Sequence, residues 1–231
     1  TDTSTKPYPF GESQVMRYKD RLKDVGCTRV HYEGIKEVPK SSQNKRGGMH
    51  LSNKWVDMAK SSSPNSLCFL LQAGDNYPQP YRLRETYDLF VKHDCDWLQE
   101  NKGVFYHIRN KDTFLFDITR SKIYAESTGV NMAAKTELIR RVPYLNVSRR
   151  VDSAIFHKVK AVKGKGFSRA ANASDHWREG FLTQGANTIS KSRWKMAMEY
   201  SDKGKAPWYK YSQDELWKHI PPDISELIQE E

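Results

Sequence analysis

Apolar and polar positions change period along this chain, and the changes mark out its elements. In residues 13–25, Val15, Tyr18, Leu22 and Val25 recur at i, i+3, i+7 and i+10. That spacing predicts a short helix, which Gly26 is placed to end. Residues 27–32 read as a strand. Residues 34–48 hold three glycines, Pro39 and several Lys and Arg, the make-up of an exposed basic loop. Residues 49–58 fit a short helix. The unbroken apolar run from Leu67 to Leu71 predicts a buried strand over 67–72, followed by a turn. A long helix is predicted over 82–100, with Leu83, Tyr87, Phe90 and Trp97 as its apolar stripe and Gly103 as a left-handed cap.

Alternation predicts strands at 104–108 and 113–118, with 123–126 returning as a hairpin partner. A second helix is predicted at 131–142, with the stripe Ala134, Leu138 and Val142, stopped by Pro143. Residues 154–162 alternate again. Ile155, His157, Val159 and Ala161 fall on one side and Phe156, Lys158 and Lys160 on the other, which predicts a strand leading into Lys163-Gly164-Lys165-Gly166. Helical spacing follows at 174–182, 189–200 and 214–220. Strands and helices mix without regular alternation and without a repeat. The expected class is α+β: a mixed or antiparallel sheet packed with helices, closed by a helical, aromatic-rich C-terminal segment. We divide the chain into a core at 1–170, with an N-terminal arm whose Pro7 and Pro9 prevent regular structure, and a segment at 171–231 packed on that core.

Composition narrows the function classes. At 231 residues the chain can bury a substantial core, and 12% aromatic content argues against disorder. No apolar run nears the roughly 20 residues needed to span a bilayer, so no membrane partner is expected. Three widely spaced cysteines, Cys27, Cys68 and Cys95, form no disulfide framework and point to a reducing, intracellular compartment.

Charge changes the picture most. Residues 134–170 carry ten Lys and Arg against two acids, a balance of +8 within a chain of net +10; residues 213–231 carry one Lys and six acids, a balance of −5. A concentrated basic block suggests a polyanion, most often nucleic acid. The candidate phosphate contacts are Arg140, Arg141, Arg149, Arg150, Lys158, Lys160, Lys163, Lys165 and Arg169, with the glycines of the Lys-Gly-Lys-Gly turn offering backbone N–H groups. Trp208, Tyr209 and Tyr211, in the stretch expected to be most exposed, are candidates for stacking on bases. The expected function is non-enzymatic nucleic-acid binding. An alternative is a self-assembling coat or lattice subunit, a homo-oligomer in which the acidic tail meets the basic block of a neighbour. A second is a metal-dependent nuclease using Asp112, Asp117, Lys122 and Glu126 on or around the hairpin. A helix-turn-helix at 129–150 lacks a clear second helix. His93 and Cys95, two positions apart in a predicted helix, point about 200° apart and cannot share an ion. No cofactor is expected.

Overall fold

A computed structural model describes residues 19–20, 23–24, 50–64, 66, 69–71, 76–78, 82–107, 111–120, 132–147, 151–172, 179–183, 191–204, 207–220, 222 and 226. The elements are α1 (Leu51–Ser61), β1 (Phe69–Leu71), β2 (Asn76–Pro78), α2 (Arg82–His93), β3 (Trp97–Glu100), β4 (Lys102–His107), β5 (Asp112–Asp117), β6 (Met132–Ala134), α3 (Thr136–Arg140), α4 (Val151–Lys163), β7 (Arg169–Asn172), β8 (Glu179–Thr183), α5 (Lys191–Asp202), β9 (Trp208–Lys210) and α6 (Gln213–Trp217). The fold is α+β, as the mixed pattern predicts. Lys19, Asp20, Lys23 and Asp24, within the first predicted helix, are helical. The N-terminal arm, the strand at 27–32, the loop at 34–48 and the strand at 123–126 lie outside the described residues.

Two sheets form, in the orders β1-β6-β3-β7 and β2-β8-β4-β5-β9. One stretch of chain serves both: β3 and β4 are separated only by Asn101, whose carbonyl accepts from the Ile118 N–H. β7 and β8 run parallel beside them, with Glu100 opposite Asn172 in the first sheet and Val104 opposite Gly180 in the second. Between those registers β3–β4 advances four residues and β7–β8 eight. Their shared partner strands join the two sheets.

Both faces of β3 and β4 are covered, which explains why these strands are buried along nearly their whole length. On the first sheet, Trp97, Met132 and Ala134 face α1, α3 and α4 through Trp55, Val56, Ala59, Leu138, Ile139, Ile155, Phe156 and Val159. Their neighbours Leu98 and Ala133 point the other way, onto Phe90 of α2 and Cys95. On the second sheet, Phe105, Phe114, Phe116 and Trp208 pack with Ala197 of α5, while Val104 and Tyr106 pack with Leu216 of α6 and Ile220. Alternation along a strand sends successive side chains to opposite faces, so two-sided cover makes the whole strand apolar or internally paired.

Several elements differ from their sequence prediction. The helix predicted to reach residue 100 ends at His93: Asp94 turns left-handed (φ 40°), and Trp97, the last member of the expected stripe, lies fully buried in a strand. Asp94 and Asp96 favour turns over helix interiors, and a central strand position buries more of an indole than a helix face could. Within α2 it is Arg82, Thr86 and Phe90 that face inward, while Leu83 and Tyr87 are exposed. The helix predicted over 131–142 is divided: residues 132–134 form the strand between β1 and β3, and the helix starts after Lys135. Sheet pairing overrides the helix preference of Ala133 and Ala134, whose small side chains fit a fully buried strand. Residues 179–182, the end of the helix predicted at 174–182, belong instead to β8. The strand predicted at 154–162 is the helix α4.

Candidate polyanion interface

The basic block is organised around α4. Val151, Ile155, Phe156 and Val159 recur at i, i+4, i+5 and i+8, and all four are buried. Phe156 meets Trp97 edge-on at 5.3 Å. The same residues that alternate as a strand therefore also form a helical stripe, and the indole of Trp97 selects the helix. On a helix Lys158 and Lys160 lie about 200° apart around the axis, not on one face. They border the exposed surface of α4, with His157 and Ala161, also exposed, between them.

The Lys-Gly-Lys-Gly turn follows the C-terminus of this helix. Gly164 (φ 70°) is the left-handed residue that ends it, and its N–H donates to the Lys160 carbonyl at 2.9 Å. Gly166 is also left-handed (φ 85°), and the Phe167 N–H closes onto the Gly164 carbonyl at 3.3 Å. The expected phosphate cradle is therefore a helix cap. A helix C-terminus carries partial negative charge, which favours Lys160, Lys163 and Lys165 there and disfavours an anion against its backbone.

Two further members of the block also close helices. The Arg140 guanidinium donates from Nη1 to the carbonyls of Ala59 (3.4 Å), Lys60 (2.8 Å) and Ser62 (2.7 Å), at the C-terminal end of α1. Arg141 donates from Nη2 to the Val162 carbonyl (3.1 Å), at the end of α4. Consecutive arginines thus satisfy orphan carbonyls on two different helices. Neither is the uncommitted phosphate ligand its charge suggests.

Lys163 is committed as well. Its Nζ lies 3.3 Å from Asp96 Oδ1, and Lys135 Nζ lies 3.4 Å from the same oxygen and 3.4 Å from Asp94 Oδ1. Asp96 is buried, and its Oδ2 accepts from the Ser168 N–H at 3.0 Å and the Ser168 hydroxyl at 3.2 Å. Oδ1 makes no well-formed hydrogen bond with a described residue, and its contacts with the two ammonium groups are ionic. Burial alone would raise the Asp96 pKa; the Ser168 N–H, Lys163 and Lys135 outweigh it and hold the carboxyl below its ordinary value. Burial would likewise lower Lys135, but Asp96 and Asp94 outweigh it and raise its pKa. This cluster ties the entry of β3, the start of α3, the end of α4 and the entry of β7 together. Sequence reading passed over Asp96 because it was assigned to a helix; the tight Asp94-Cys95-Asp96 spacing was the available signal. Cys95 between them is buried, and burial raises its thiol pKa, which makes it a poor nucleophile.

The predicted stacking aromatics are not exposed. Trp208 is 8% accessible and packs on Phe116 at 4.6 Å and Phe105 at 5.5 Å, so a base cannot stack on it. Tyr209 is half-buried in β9 opposite Leu115. Tyr211 is half-buried against the cluster of Val104, Tyr106, Leu216 and Ile220. Arg149 and Arg150 lie outside the described residues.

The nuclease pairing of Asp117 with Glu126 falls partly outside the described residues. Asp112 and Asp117 occupy opposite ends of β5, roughly 16 Å apart at strand rise, too far to share an ion. Asp117 is buried and accepts from the Thr119 N–H at 2.9 Å and hydroxyl at 2.5 Å. Lys122 and Glu126 lie outside the described residues. Among the described residues no group of three or more His, Cys, Asp or Glu is placed to hold a metal. Nor is any described helix long and apolar enough to cross a membrane.

What is left of the block is smaller and sharper. Lys158, Lys160 and Lys165 are exposed and make no ion pair with another described residue. Arg169, also exposed, lies over the Phe156 ring at 5.8 Å. In the acidic tail, Glu215 meets Lys218 (2.9 Å) and His219 (3.4 Å) of its own turn, not the basic block. No protein-family model matches this chain, and no curated protein matches its sequence.

Proposed function

We propose that the chain binds the phosphate backbone of a nucleic acid through the outer face and C-terminal turn of α4. The contacts are Lys158, Lys160 and Lys165, with Arg169 at the border. One observation carries this reading: after the helix caps and the Asp96 pairs have taken their cations, these three lysines remain solvent-facing on one rigid helix and its turn. The net charge of +10 supports it. So does the form of the site, which offers point charges and no base-reading groups, the make-up of a sequence-independent grip. In a salt titration of oligonucleotide binding by fluorescence anisotropy, affinity falls with a log–log slope of about −0.7 to −0.9 for each phosphate neutralised. Lys158→Glu, Lys160→Glu and Lys165→Glu together abolish binding while the protein stays folded, with only the small loss of Tm that acids at the negative end of α4 bring. Undiminished binding by that triple variant refutes the assignment.

A self-assembling subunit is the second reading. Leu83, Tyr87 and Val91 are 62%, 42% and 59% exposed and recur at i, i+4 and i+8 along α2. Isolated exposed apolar residues are ordinary, but an aligned trio on one helix suits a contact with a second copy of the chain. Light scattering on the protein free of nucleic acid tests this: Leu83→Lys with Val91→Lys dissociates an oligomer. A wild-type chain that is monomeric at high concentration excludes the reading.

A further inference from the structure

The outward side of α2 lies across the first sheet from α4. Phe90 of α2 packs on Leu98 and Ala133, whereas α4 packs on Trp97 and the opposite face. Two parallel rows run along that outward side, each advancing four residues per step. One is apolar: Leu83, Tyr87 and Val91, all exposed. The other, one position along, is charged: Arg84, Asp88 and Lys92, also exposed. Within it Arg84 Nε meets Asp88 Oδ2 at 3.0 Å. Rows of this kind are the i±4 ridges through which helices pack on one another.

The charged row decides what the apolar row fits. A two-fold axis between antiparallel helices sets each row opposite its own copy with the direction reversed. With that axis level with Thr86, Arg84 stands opposite the partner's Asp88, and Asp88 opposite the partner's Arg84. The two intrahelical pairs then close into one ring of alternating charge. The same axis sets Leu83 between the partner's Tyr87 and the partner's Val91, so the apolar row is covered as well. Parallel packing sets Arg84 on Arg84 and Asp88 on Asp88, which repel. A face whose charges complement themselves in one orientation fits a second copy of this chain in that orientation.

We infer that the chain forms a two-fold dimer through antiparallel α2 helices, and that this dimer bridges two nucleic-acid segments. The contact deepens the second-copy reading above; the bridging rests on the phosphate reading as well. Because α2 and α4 cover opposite faces of the first sheet, the layers of the dimer follow the order α4, sheet, α2, α2, sheet, α4. Five spacings of about 8–10 Å put the two α4 helices roughly 40–50 Å apart. Lys158, Lys160 and Lys165 of the two copies then lie on opposite outer sides. A duplex of about 20 base pairs is far shorter than the persistence length of about 150, so it cannot bend round to reach both. Each dimer therefore takes two such duplexes, one on either side.

Sedimentation equilibrium, without nucleic acid, tests the contact. Wild type is a dimer. Asp88→Arg turns two attractions into two repulsions and weakens dimerisation about 10-fold, and Arg84→Asp does the same. Both side chains are exposed, so each variant stays folded. An equimolar mixture of the two variants restores the dimer, because every Arg then faces an Asp; a merely weakened helix gives no such rescue. A monomeric wild type, or a mixture no more associated than its separate components, overturns the contact. Energy transfer between short duplexes labelled with donor and with acceptor tests the bridging. Wild type brings the two labels together. Leu83→Lys with Val91→Lys is monomeric, binds each duplex and gives no transfer. A wild-type dimer that binds duplex without transfer overturns the bridging. The triple lysine variant keeps the dimer and loses the transfer. A wild-type dimer that binds no duplex removes the phosphate reading and the bridging with it, and leaves the α2 contact standing, so the two failures are distinguishable.

Discussion

Replacing Asp96 with Asn tests whether the buried carboxylate holds the junction between the two layers of helix and sheet. The substitution keeps the shape and leaves one oxygen to accept from Ser168. It removes the charge that faces Lys135 and Lys163 at 3.4 and 3.3 Å. Breaking a fully buried pair by removing one partner costs about 3–5 kcal/mol. Here the two lysine side chains retain 28% and 34% of their exposure and can be rehydrated, so the cost drops to about 2–3 kcal/mol. For a chain of this length that is roughly 5–10 °C in Tm. The pH dependence gives the sharper readout. The folded-state pKa of Asp96 lies below its ordinary value, so the contribution is fully present above the unfolded pKa and is lost as pH falls through the lowered folded one. Denaturant unfolding of wild type and Asp96→Asn is compared from pH 7 downward. The gap in stability is constant at neutral pH and closes below about pH 4, near the ordinary carboxyl value. A gap absent at pH 7, or one that persists unchanged into strong acid, refutes the role assigned to this carboxylate.

Arg140→Gln removes the cap on α1 and the charge that balances its carbonyl end; unfolding by denaturant shows a loss of about 1–2 kcal/mol, whereas a surface phosphate ligand would leave stability unchanged. Trp208→Ala opens the core beneath α5 and costs about 3–5 kcal/mol, with any loss of nucleic-acid binding tracking the unfolded fraction; a folded variant with selectively weakened binding contradicts the burial of this ring. Lys165→Ala at the α4 turn lowers oligonucleotide affinity and reduces the magnitude of the salt slope by about 0.7–0.9, with at most a small fall in Tm from the lost charge at the helix end.

Elements with one dominant period were legible from sequence. α1, the hairpin of β4 and β5, α5 and α6 all stand near their predicted places. The failures share a physical cause. Residues 151–163 satisfy both a period of 2 and a period of 3.6, and local pattern cannot choose between them. Asp152 in the first turn, Lys160 and Lys163 in the last and Gly164 beyond are helix-end signals that favoured the answer the fold adopts. Residues 97–100 and 132–134 become strands because they pair with each other and with β1 and β7, a long-range choice that propensity does not encode. The charge block was visible, but its division into caps, buried pairs and exposed cations depends on where helix ends fall. Arg140 and Lys158 are alike in sequence; one lies against three carbonyls and the other faces water.

The parallel pairing of β4 with β8 carries a consequence for how the chain is made. Val104 lies opposite Gly180, 76 residues further on. During synthesis at about 5–20 residues per second, one edge of β4 waits roughly 4–15 s for its partner to emerge. β5 can close the other edge almost at once, because it follows after a short connection. For those seconds Val104, Phe105 and Tyr106 stand in a strand with an open hydrogen-bonding edge, able to add a strand from another nascent chain. Slowing synthesis lengthens that exposure in proportion, so recovery of the native protein depends on whatever shields β4 until residue 180 leaves the ribosome.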